Sequence, residues 1–315
     1  MNLKQRFGAL LALLLLGSPG AHADDPAQLR IGYQKAATSQ VLAKERQLLE
    51  QRFPHTRIDW IEFPAGPQLL EALNVGAIDL GGSGDIPPLF AQAAGADLLY
   101  VGVEPPKPQA ETLLVPSASP IHSVAELKGK RVALQKGSSS HNTLLRALQQ
   151  AGLSIRDIQP LYLTPADARA AFESGQVDAW AIWDPWYSQL ELEGRARLLA
   201  NGEGLGLSGP FYLAARPFAE AHGEFLRQVL DSFSQAEALT RSDEAASVAI
   251  MARVTGLPDA VIRQSFSHRP AASPIRPLNA EDIAAQQRTA DLFYAEHLLP
   301  HALQIAPAVW HWPTP

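Results

Sequence analysis

The feature that most constrains this chain is a repeat, because its first two hundred residues carry the same short plan twice. The stretch Arg30–Lys35, read as Arg-Ile-Gly-Tyr-Gln-Lys, returns 101 residues later as Arg131–Lys136, read as Arg-Val-Ala-Leu-Gln-Lys. Two further pairs are separated by 99 residues: Gly76–Asp79 with Gly175–Asp178, and Asp85 with Asp184. Three matches at nearly one offset predict two similarly built lobes with a cleft between them, where a ligand site is expected.

The first 23 residues are predicted to be a cleaved targeting segment. Lys4 and Arg6 give it a positive start, and the ten residues of 7–16 are apolar apart from one glycine. Residues 21–23 have the small-x-small form of a cleavage site. The apolar run is too short to cross a bilayer, so we expect secretion rather than a membrane anchor.

Composition excludes several classes of partner. The chain has no cysteine, so we expect neither a disulfide nor a lipid anchor, as suits a soluble protein of the bacterial periplasm. Loss of the segment would remove two basic residues and no acid, leaving 24 basic against 32 acidic residues, a net charge of −8. That balance disfavours nucleic acid or anionic lipid. There is no Walker or dinucleotide motif and no metal-ligand spacing, so no cofactor and no metal are expected.

Strand and helix patterns alternate along both repeats. Strands are predicted at 29–34, 57–63, 78–81 and 98–103, then at 131–134, 161–163 and 177–183. Helices are predicted between them at 41–53, 67–75 and 87–94, then at 141–150 and 165–174. This order is typical of mostly parallel sheets covered by helices, and the chain from 217 onward has a helical pattern.

Two short apolar segments, 111–115 and 211–214, are interpreted as strands that cross between the lobes. The predicted division is lobe one at 24–112 and 212–315, and lobe two at 113–211. Two crossings would make a hinge. The alternative is a chain of two uninterrupted domains with a single linker.

The strongest candidate binding segment follows the first strand of the second repeat. In open parallel sheets, ligands lie beyond the carboxyl ends of strands, where helices begin. Here a glycine is followed by Ser138, Ser139, Ser140 and His141. Unpaired backbone N–H groups and hydroxyls at the positive end of a helix dipole favour an anion without a formal charge. A serine that merely caps the helix is the alternative, but it explains one serine and not three.

Three further segments are candidates for the same cleft. Gln34 and Thr38 occupy the corresponding place in lobe one, although a solvated glutamine is an equal alternative. Ser83 and Gly84 lie in a glycine-rich turn that lets backbone approach a ligand. For Asp85, which precedes the next helix, capping is the favoured role.

An aromatic cluster spans 180–187. Strand alternation places Trp180 and Trp183 on opposite faces, and we assign Trp180 to the core and Trp183 to the cleft, beside Asp184. An aromatic wall with neutral donors suits a small amphiphile with one charged head and a short apolar tail.

Enzymatic interpretations are weaker. Ser83 lies in Gly-Gly-Ser-Gly-Asp, which lacks the final glycine of a nucleophile elbow. Ser139, His141 and Asp184 have no spacing that requires a catalytic triad. We therefore expect a binding protein, with a secreted hydrolase as the alternative.

Several stretches together resemble the aliphatic sulfonate-binding proteins, and the likeness covers essentially the whole mature chain. They are 30–35, 62–68, 84–88, 135–142 and 180–185. The resemblance implies an α/β fold of the type II periplasmic binding protein kind, with two α/β lobes, central mostly parallel sheets, a two-strand hinge and a ligand cleft between the lobes. It implies a monomeric receptor that delivers alkanesulfonates to an ABC permease with a cytoplasmic ATPase for sulfur acquisition. The pair Gly82-Ser83 departs from the serine–threonine pair usual in the family.

The predicted ligand-binding residues are Gln34, Thr38, Ala65, Ser83, Gly84, Asp85, Ser138, Ser139, Ser140, His141, Trp183 and Asp184. The serines, with Gln34 and Ser83–Gly84, are expected to hold the sulfonate oxygens, and Trp183 with Pro64–Ala65 the tail. An uncharged cradle is expected because an arginine clamp would bind inorganic sulfate and phosphate almost as well. Taurine or another zwitterion is the alternative ligand, and Asp184 would then supply the carboxylate it requires.

Overall fold

The strands form two five-stranded sheets in a computed structural model that describes residues 25–270 and 274–312. The predicted targeting segment lies outside the described residues. The first sheet contains β1 (Gln28–Tyr33), β2 (Arg57–Glu62), β3 (Leu80–Ser83), β4 (Leu98–Val103) and β10 (Phe211–Ala215). The second contains β5 (Glu111–Pro116), β6 (Arg131–Leu134), β7 (Gln159–Tyr162), β8 (Ala179–Trp183) and β9 (Ala196–Asn201).

Both sheets have the same plan. The first has the order β2-β1-β3-β10-β4 and the second the order β7-β6-β8-β5-β9. In each sheet three parallel strands are followed by an antiparallel strand, β10 or β5, which enters from the other half of the chain. Strand β9 is not predicted by the sequence pattern; it pairs with β5 at the edge of the second sheet.

The repeated arginine and aspartate of the sequence form the same ion pair in each half. The backbone N–H of Arg30 donates to Asp79 Oδ2 at 2.8 Å, and that of Arg131 donates to Asp178 Oδ2 at 2.8 Å. Each guanidinium also pairs with the same carboxylate. Each pair ties the start of one strand to the turn before its neighbour, so this part of the repeat serves the fold.

Twelve α-helices are found in the described part of the chain. Those before the second crossing are α1 (Thr38–Glu45), α2 (Leu48–Arg52), α3 (Gly66–Asn74), α4 (Pro87–Ala93), α5 (Ser139–Gln150), α6 (Pro165–Glu173) and α7 (Trp186–Leu192). Those after it are α8 (Arg216–Ala221), α9 (Gly223–Ser242), α10 (Glu244–Thr255), α11 (Asp259–Ser267) and α12 (Ala280–Ala295). The predicted helix 41–53 is divided into α1 and α2 because Gln47 takes a left-handed conformation, with φ 55°.

None of these helices alone has the length and apolarity to cross a membrane; the bent pair α10–α11 meets those two criteria only when its members are taken together.

The chain passes between the sheets at 104–110 and again at 202–210. The alternative of one linker is therefore wrong, because β10 returns to the first sheet after the second is complete. Strand β5 begins at Glu111, two residues before the predicted start of lobe two. The domain division itself stays a prediction.

Candidate functional site

A cavity of about 160 Å³ lies between the two sheets, at the strand ends that face each other. Its walls come from the starts of α1 and α5, the turn after β3, the end of β8, both crossings and one arginine beyond α11. Both halves of the chain thus contribute to one enclosure.

Two helices point uncapped N-termini at this cavity. Helix α5 has Ser138 at its N-cap, yet the Ser138 hydroxyl makes no capping bond and instead donates to the Gln135 carbonyl at 2.7 Å. Helix α1 has Ala37 at its N-cap and no side-chain cap. The first N–H groups of a helix have no partner within it and carry the positive end of its dipole. The two starts therefore direct positive potential into the cavity from opposite sides.

Three buried side-chain atoms that line the cavity have no hydrogen-bond partner within the described part of the protein. They are Gln40 Oε1, Ser83 Oγ and Glu111 Oε2. An unpaired buried polar atom costs about 1–3 kcal/mol. Of the three, the Ser83 hydroxyl can donate a hydrogen bond to a polar ligand in this space, and Glu111 can do so only when protonated, whereas Gln40 Oε1 can only accept one.

A lysine and a glutamate from the first crossing form a buried pair in the wall. Lys107 Nζ lies 2.5 Å from Glu104 Oε2, and the Tyr212 hydroxyl donates to Glu104 Oε1 at 2.6 Å. Burial opposes ionisation of Glu104, but Lys107 and the hydrogen bond from Tyr212 outweigh it and hold the pKa of Glu104 below its usual value. The lysine charge is thereby largely balanced within the wall.

Arg269 brings a second cation to the cavity. Its guanidinium pairs with Glu237 at 3.2 Å and donates to the Thr38 hydroxyl at the start of α1. The cavity wall therefore differs from the uncharged cradle expected from the sequence, because it includes the side chains of Lys107 and Arg269. Each is matched by a buried carboxylate, so the wall adds donors with little net charge.

One contact spans the two halves beside the cavity. His268 Nδ1, which follows α11, lies 2.6 Å from Asp184 Oδ2, which follows β8. Asp184 also accepts from the Ser188 backbone N–H at 3.0 Å and the Ser188 hydroxyl at 2.6 Å. The Tyr187 and His268 rings stack at 5.2 Å. The hydrogen bond with Asp184 raises the pKa of His268 above its ordinary value of 6.5.

We expect this contact to make ligand binding depend on pH through His268. Because the contact with Asp184 raises the pKa of His268, its contribution is complete below pH 6.5 and is lost as the pH rises through the raised value. The variant His268→Gln should weaken ligand binding by about tenfold at pH 6 and by less than about threefold at pH 9. Calorimetry at the two pH values measures this, and an equal loss at both would contradict it.

A second contact between the halves lies on the side of the crossings. Asn142 Nδ2 of α5 donates to Asp85 Oδ2 at 2.5 Å, and Arg146 Nε donates to Asn142 Oδ1 at 2.8 Å. Gln286 of α12 donates to the Asp85 carbonyl at 2.6 Å. Burial raises the pKa of Asp85 to about 7, although Asn142 and Arg146 oppose the rise. The favoured capping role of Asp85 is wrong, because α4 has no side-chain cap.

The two halves approach each other closely at Gly84. A methyl group placed on its Cα would lie 2.9 Å from Ser139 Cβ and 3.3 Å from Ser139 Oγ, both closer than carbon and oxygen atoms normally pack. The Gly84 backbone does not adopt a positive φ. Glycine is therefore required here by the opposing half and not by its own conformation.

Eight of the twelve predicted site residues line the cavity. They are Gln34, Thr38, Ser83, Gly84, Ser138, Ser139, Trp183 and Asp184.

The other four, Ala65, Asp85, Ser140 and His141, do not line it. Ala65 is fully buried, and Asp85 is turned toward Asn142. Ser140 is also fully buried, with its hydroxyl 2.9 Å from Ser138 Oγ. The His141 ring packs on Phe293 of α12 at 5.2 Å, and burial lowers the pKa of His141 to about 4, so it is neutral.

Sequence reasoning missed several cavity residues. Glu104 follows the buried strand β4, and the strand-end rule applied there would have found it. Glu111 begins an antiparallel strand, so it reaches the cavity only because Glu111 pairs with Trp183 in the sheet register. Arg269 follows a helix that is remote in sequence, and no local pattern marks it.

A second cavity of about 250 Å³ adjoins the first. The two share Gln34, Ala36 and Trp183. Its remaining wall is mostly proline, aromatic and aliphatic: Lys35, Glu62, Phe63, Pro64, Thr164, Pro165, Ala166, Pro185, Trp186, Thr255 and Leu257. A polar cavity joined to a mainly apolar one suits a ligand with a charged head and an apolar tail.

The chain is similar in sequence and structure to sulfonate-binding proteins. The NMT1/THI5 like family model matches residues 60–245. A chain of Escherichia coli strain K12, named as an aliphatic sulfonates-binding protein, is 60% identical over 303 residues, covering 96% of this chain and 95% of the relative.

Two solved structures agree in fold and sequence. The alkanesulfonate-binding protein SsuA of Xanthomonas axonopodis pv. citri, bound to MOPS, is 66% identical with a TM-score of 0.90, covering 91% of this chain and 99% of that chain. The periplasmic aliphatic sulphonate binding protein SsuA of Escherichia coli is 61% identical with a TM-score of 0.86, covering 92% of this chain and 94% of that chain.

Proposed function

Because this chain belongs to the aliphatic sulfonate-binding proteins within the NMT1/THI5-like family, we propose that it captures alkanesulfonates in the periplasm. In this proposal the ligand-loaded form docks on an ABC permease, whose cytoplasmic ATPase drives import for sulfur acquisition. The protein binds and releases its ligand unchanged.

The observation that carries the proposal is the convergence of two uncapped helix N-termini on one cavity. The sulfonate oxygens would accept hydrogen bonds from the first N–H groups of α1 and α5 and from the Ser83 and Ser139 hydroxyls. The side chains of Lys107 and Arg269 would add N–H donors while remaining paired with their own carboxylates. Ligand that contacts both halves favours the closed form, which the permease would recognise.

The tail would extend toward the second cavity. Trp183 lies on the boundary and lines both spaces, and Pro64 and Trp186 line only the second. The Xanthomonas relative holds MOPS, whose sulfonate carries a ring on a short chain. The second cavity, which lies beyond Trp183 in this chain, supports binding of tails of comparable size.

Calorimetry with a series of ligands tests the proposed function. Alkanesulfonates should bind, with affinity rising about fourfold per methylene from methanesulfonate upward, from roughly 0.8 kcal/mol per buried methylene. Inorganic sulfate, nitrate and the carboxylates of equal chain length serve as controls and should bind much more weakly. Tighter binding of sulfate than of any alkanesulfonate would refute the proposal.

The variant Trp183→Ala should reduce the dependence on chain length. The ring supplies the apolar surface at the junction of the cavities, so we expect at least about a tenfold loss for hexanesulfonate and less than about threefold for methanesulfonate. Tyr294→Ala, which removes an exposed ring of α12, is the matched control. Equal losses for both ligands would argue against a tail site at Trp183.

A further inference from the structure

Glu111 combines three features that the proposed contacts leave unused. Glu111 lines the cavity of about 160 Å³ that is proposed to hold the sulfonate, and its Oε2 atom is buried without a hydrogen-bond partner in the described chain. It is the first residue of β5, directly after the first crossing, so it lies at the hinge. Its backbone is held there by pairing with Trp183 and by a hydrogen bond from Gly202 to the Glu111 carbonyl at 2.9 Å.

The groups around this carboxyl act on its ionisation in opposite directions. Ser139 of α5 offers a hydroxyl, and Lys107 of the first crossing brings a positive charge. Asp85 before α4 and Asp184 after β8 bring negative charges from the other sides. The charge of Lys107 is already paired with Glu104, so it stabilises the ionised form of a second carboxylate only weakly.

Burial and the two aspartates have a clear effect on ionisation. Burial is the largest cause, and with Asp85 and Asp184 it raises the pKa of Glu111 from 4.5 to about 8, against the hydrogen bond with Ser139 and the charge of Lys107. At pH 7 the side chain is therefore mainly a carboxylic acid, which has one O–H donor.

We infer that Glu111 is a specificity-determining residue that donates a hydrogen bond from its neutral carboxyl to the anionic head group. The inference rests on the proposed function, because it assigns a role within the same cavity. An ionised Glu111 would repel an anion and have no proton to donate. The bound complex therefore retains one proton at this site, and binding at high pH takes that proton up from solvent.

The resulting specificity is for permanently anionic ligands. A sulfonate keeps its charge across the whole pH range in which Glu111 titrates and accepts the donated hydrogen bond throughout. An ammonium group near this carboxyl would meet a neutral carbonyl oxygen, which is a weaker acceptor than a carboxylate. The geometry thus disfavours a ligand whose cationic group lies beside its head group.

The test is the pH dependence of 1-butanesulfonate binding, because that ligand does not itself titrate. Above pH 8 the neutral fraction of Glu111 falls, so the wild-type Kd should rise by about tenfold or more between pH 8 and pH 9.5. The variant Glu111→Gln keeps an N–H donor but cannot ionise, and its Kd should change by less than about threefold over the same range. At pH 9.5 it should bind more tightly than the wild type.

Two further measurements separate this role from a structural one. Calorimetry at pH 9 in buffers of different ionisation enthalpy should show uptake of close to one proton by the wild type and far less by Glu111→Gln. Glu203→Gln, which neutralises an exposed glutamate of the second crossing, is the matched control and should keep the wild-type slope. His268 is present in the wild type, Glu111→Gln and Glu203→Gln, so its contribution to the pH dependence of Kd is the same in all three.

The outcomes are distinct. If the wild type binds at pH 7 but Glu111→Gln shows the same slope and proton uptake, the role of Glu111 is refuted and the proposed function stands. If the wild type binds no alkanesulfonate at pH 7, the proposed function is refuted and this inference with it. Thermal unfolding without ligand checks that each variant is folded.

Discussion

Replacement of Gly84 with valine is expected to abolish tight ligand binding while leaving the two halves folded. Any side chain on Gly84 meets Ser139 across the cleft, since even a methyl group would lie 2.9 Å from Ser139 Cβ. If the two halves move apart, Gly84 and Ser139 separate, so we expect the variant to oppose only closure. Because ligand binding requires closure in the proposed function, affinity for hexanesulfonate should fall by at least about a hundredfold, a penalty of roughly 3 kcal/mol from overpacking.

The control for Gly84→Val is a second substitution on the opposing wall. Because the Ser139 hydroxyl is itself a proposed ligand contact, Ser139→Gly is also measured alone. The double variant Gly84→Val with Ser139→Gly removes the atoms that the new side chain meets, so its loss of affinity should be at least about tenfold smaller than the two single losses combined, as expected for residues in direct contact. Calorimetry gives the affinities, and thermal unfolding without ligand should be nearly the same for all variants. Strictly additive losses would show that Gly84 and Ser139 do not meet on closure.

Introduction of an aspartate at Ser138 is the second change with a large expected effect. Ser138 is the N-cap of α5, lines the cavity and makes no capping hydrogen bond. A carboxylate there would cap the helix and complement its dipole, which offsets the loss of the hydrogen bond that the Ser138 hydroxyl donates to Gln135, so the unliganded protein should remain folded. It would also neutralise the positive potential at the start of α5 that attracts the ligand, and it would repel the sulfonate at short range.

The matched control is Ser138→Asn, which has nearly the same shape and also caps helices, but carries no charge. We expect Ser138→Asp to bind alkanesulfonates at least about a hundredfold more weakly than Ser138→Asn, since two like charges at 4 Å repel by about 4 kcal/mol at an effective dielectric constant of 20. Titration by calorimetry at low salt measures the ratio. Equal affinities would place the anion away from the start of α5.

Local sequence patterns predicted site residues correctly where the position of a side chain depends only on its near neighbours in the chain. The alternation of β8 separated Trp180, which is 1% exposed, from Trp183, which lines both cavities. The strand-end rule found the starts of α1 and α5 for the same reason, since the relation between a strand end and the next helix is contained in a few consecutive residues.

The same rules failed where a contact partner was distant in sequence. The three serines look equivalent as a run, but the turn of the helix sends Ser139 to the cavity and Ser140 into the interior. Asp85 was assigned to its own helix, whereas its carboxylate bonds to Asn142, 57 residues away. For Asp85 a partner made available by folding replaced the local one, whereas for the serines the direction of each side chain depended on where the helix begins.

The sequence by itself determined that the chain has two similar α/β halves and that helix starts face the space between them, whereas the choice between one linker and two crossings was made only by the strand order. Those properties follow from hydrophobic period, repeat and turn chemistry, all of which act between near neighbours. Only the tertiary structure decided that Glu111, Lys107 and Arg269 share that space, and that Gly84 must be small. Such facts depend on the distance between segments a hundred or more residues apart, which packing sets and local pattern does not contain.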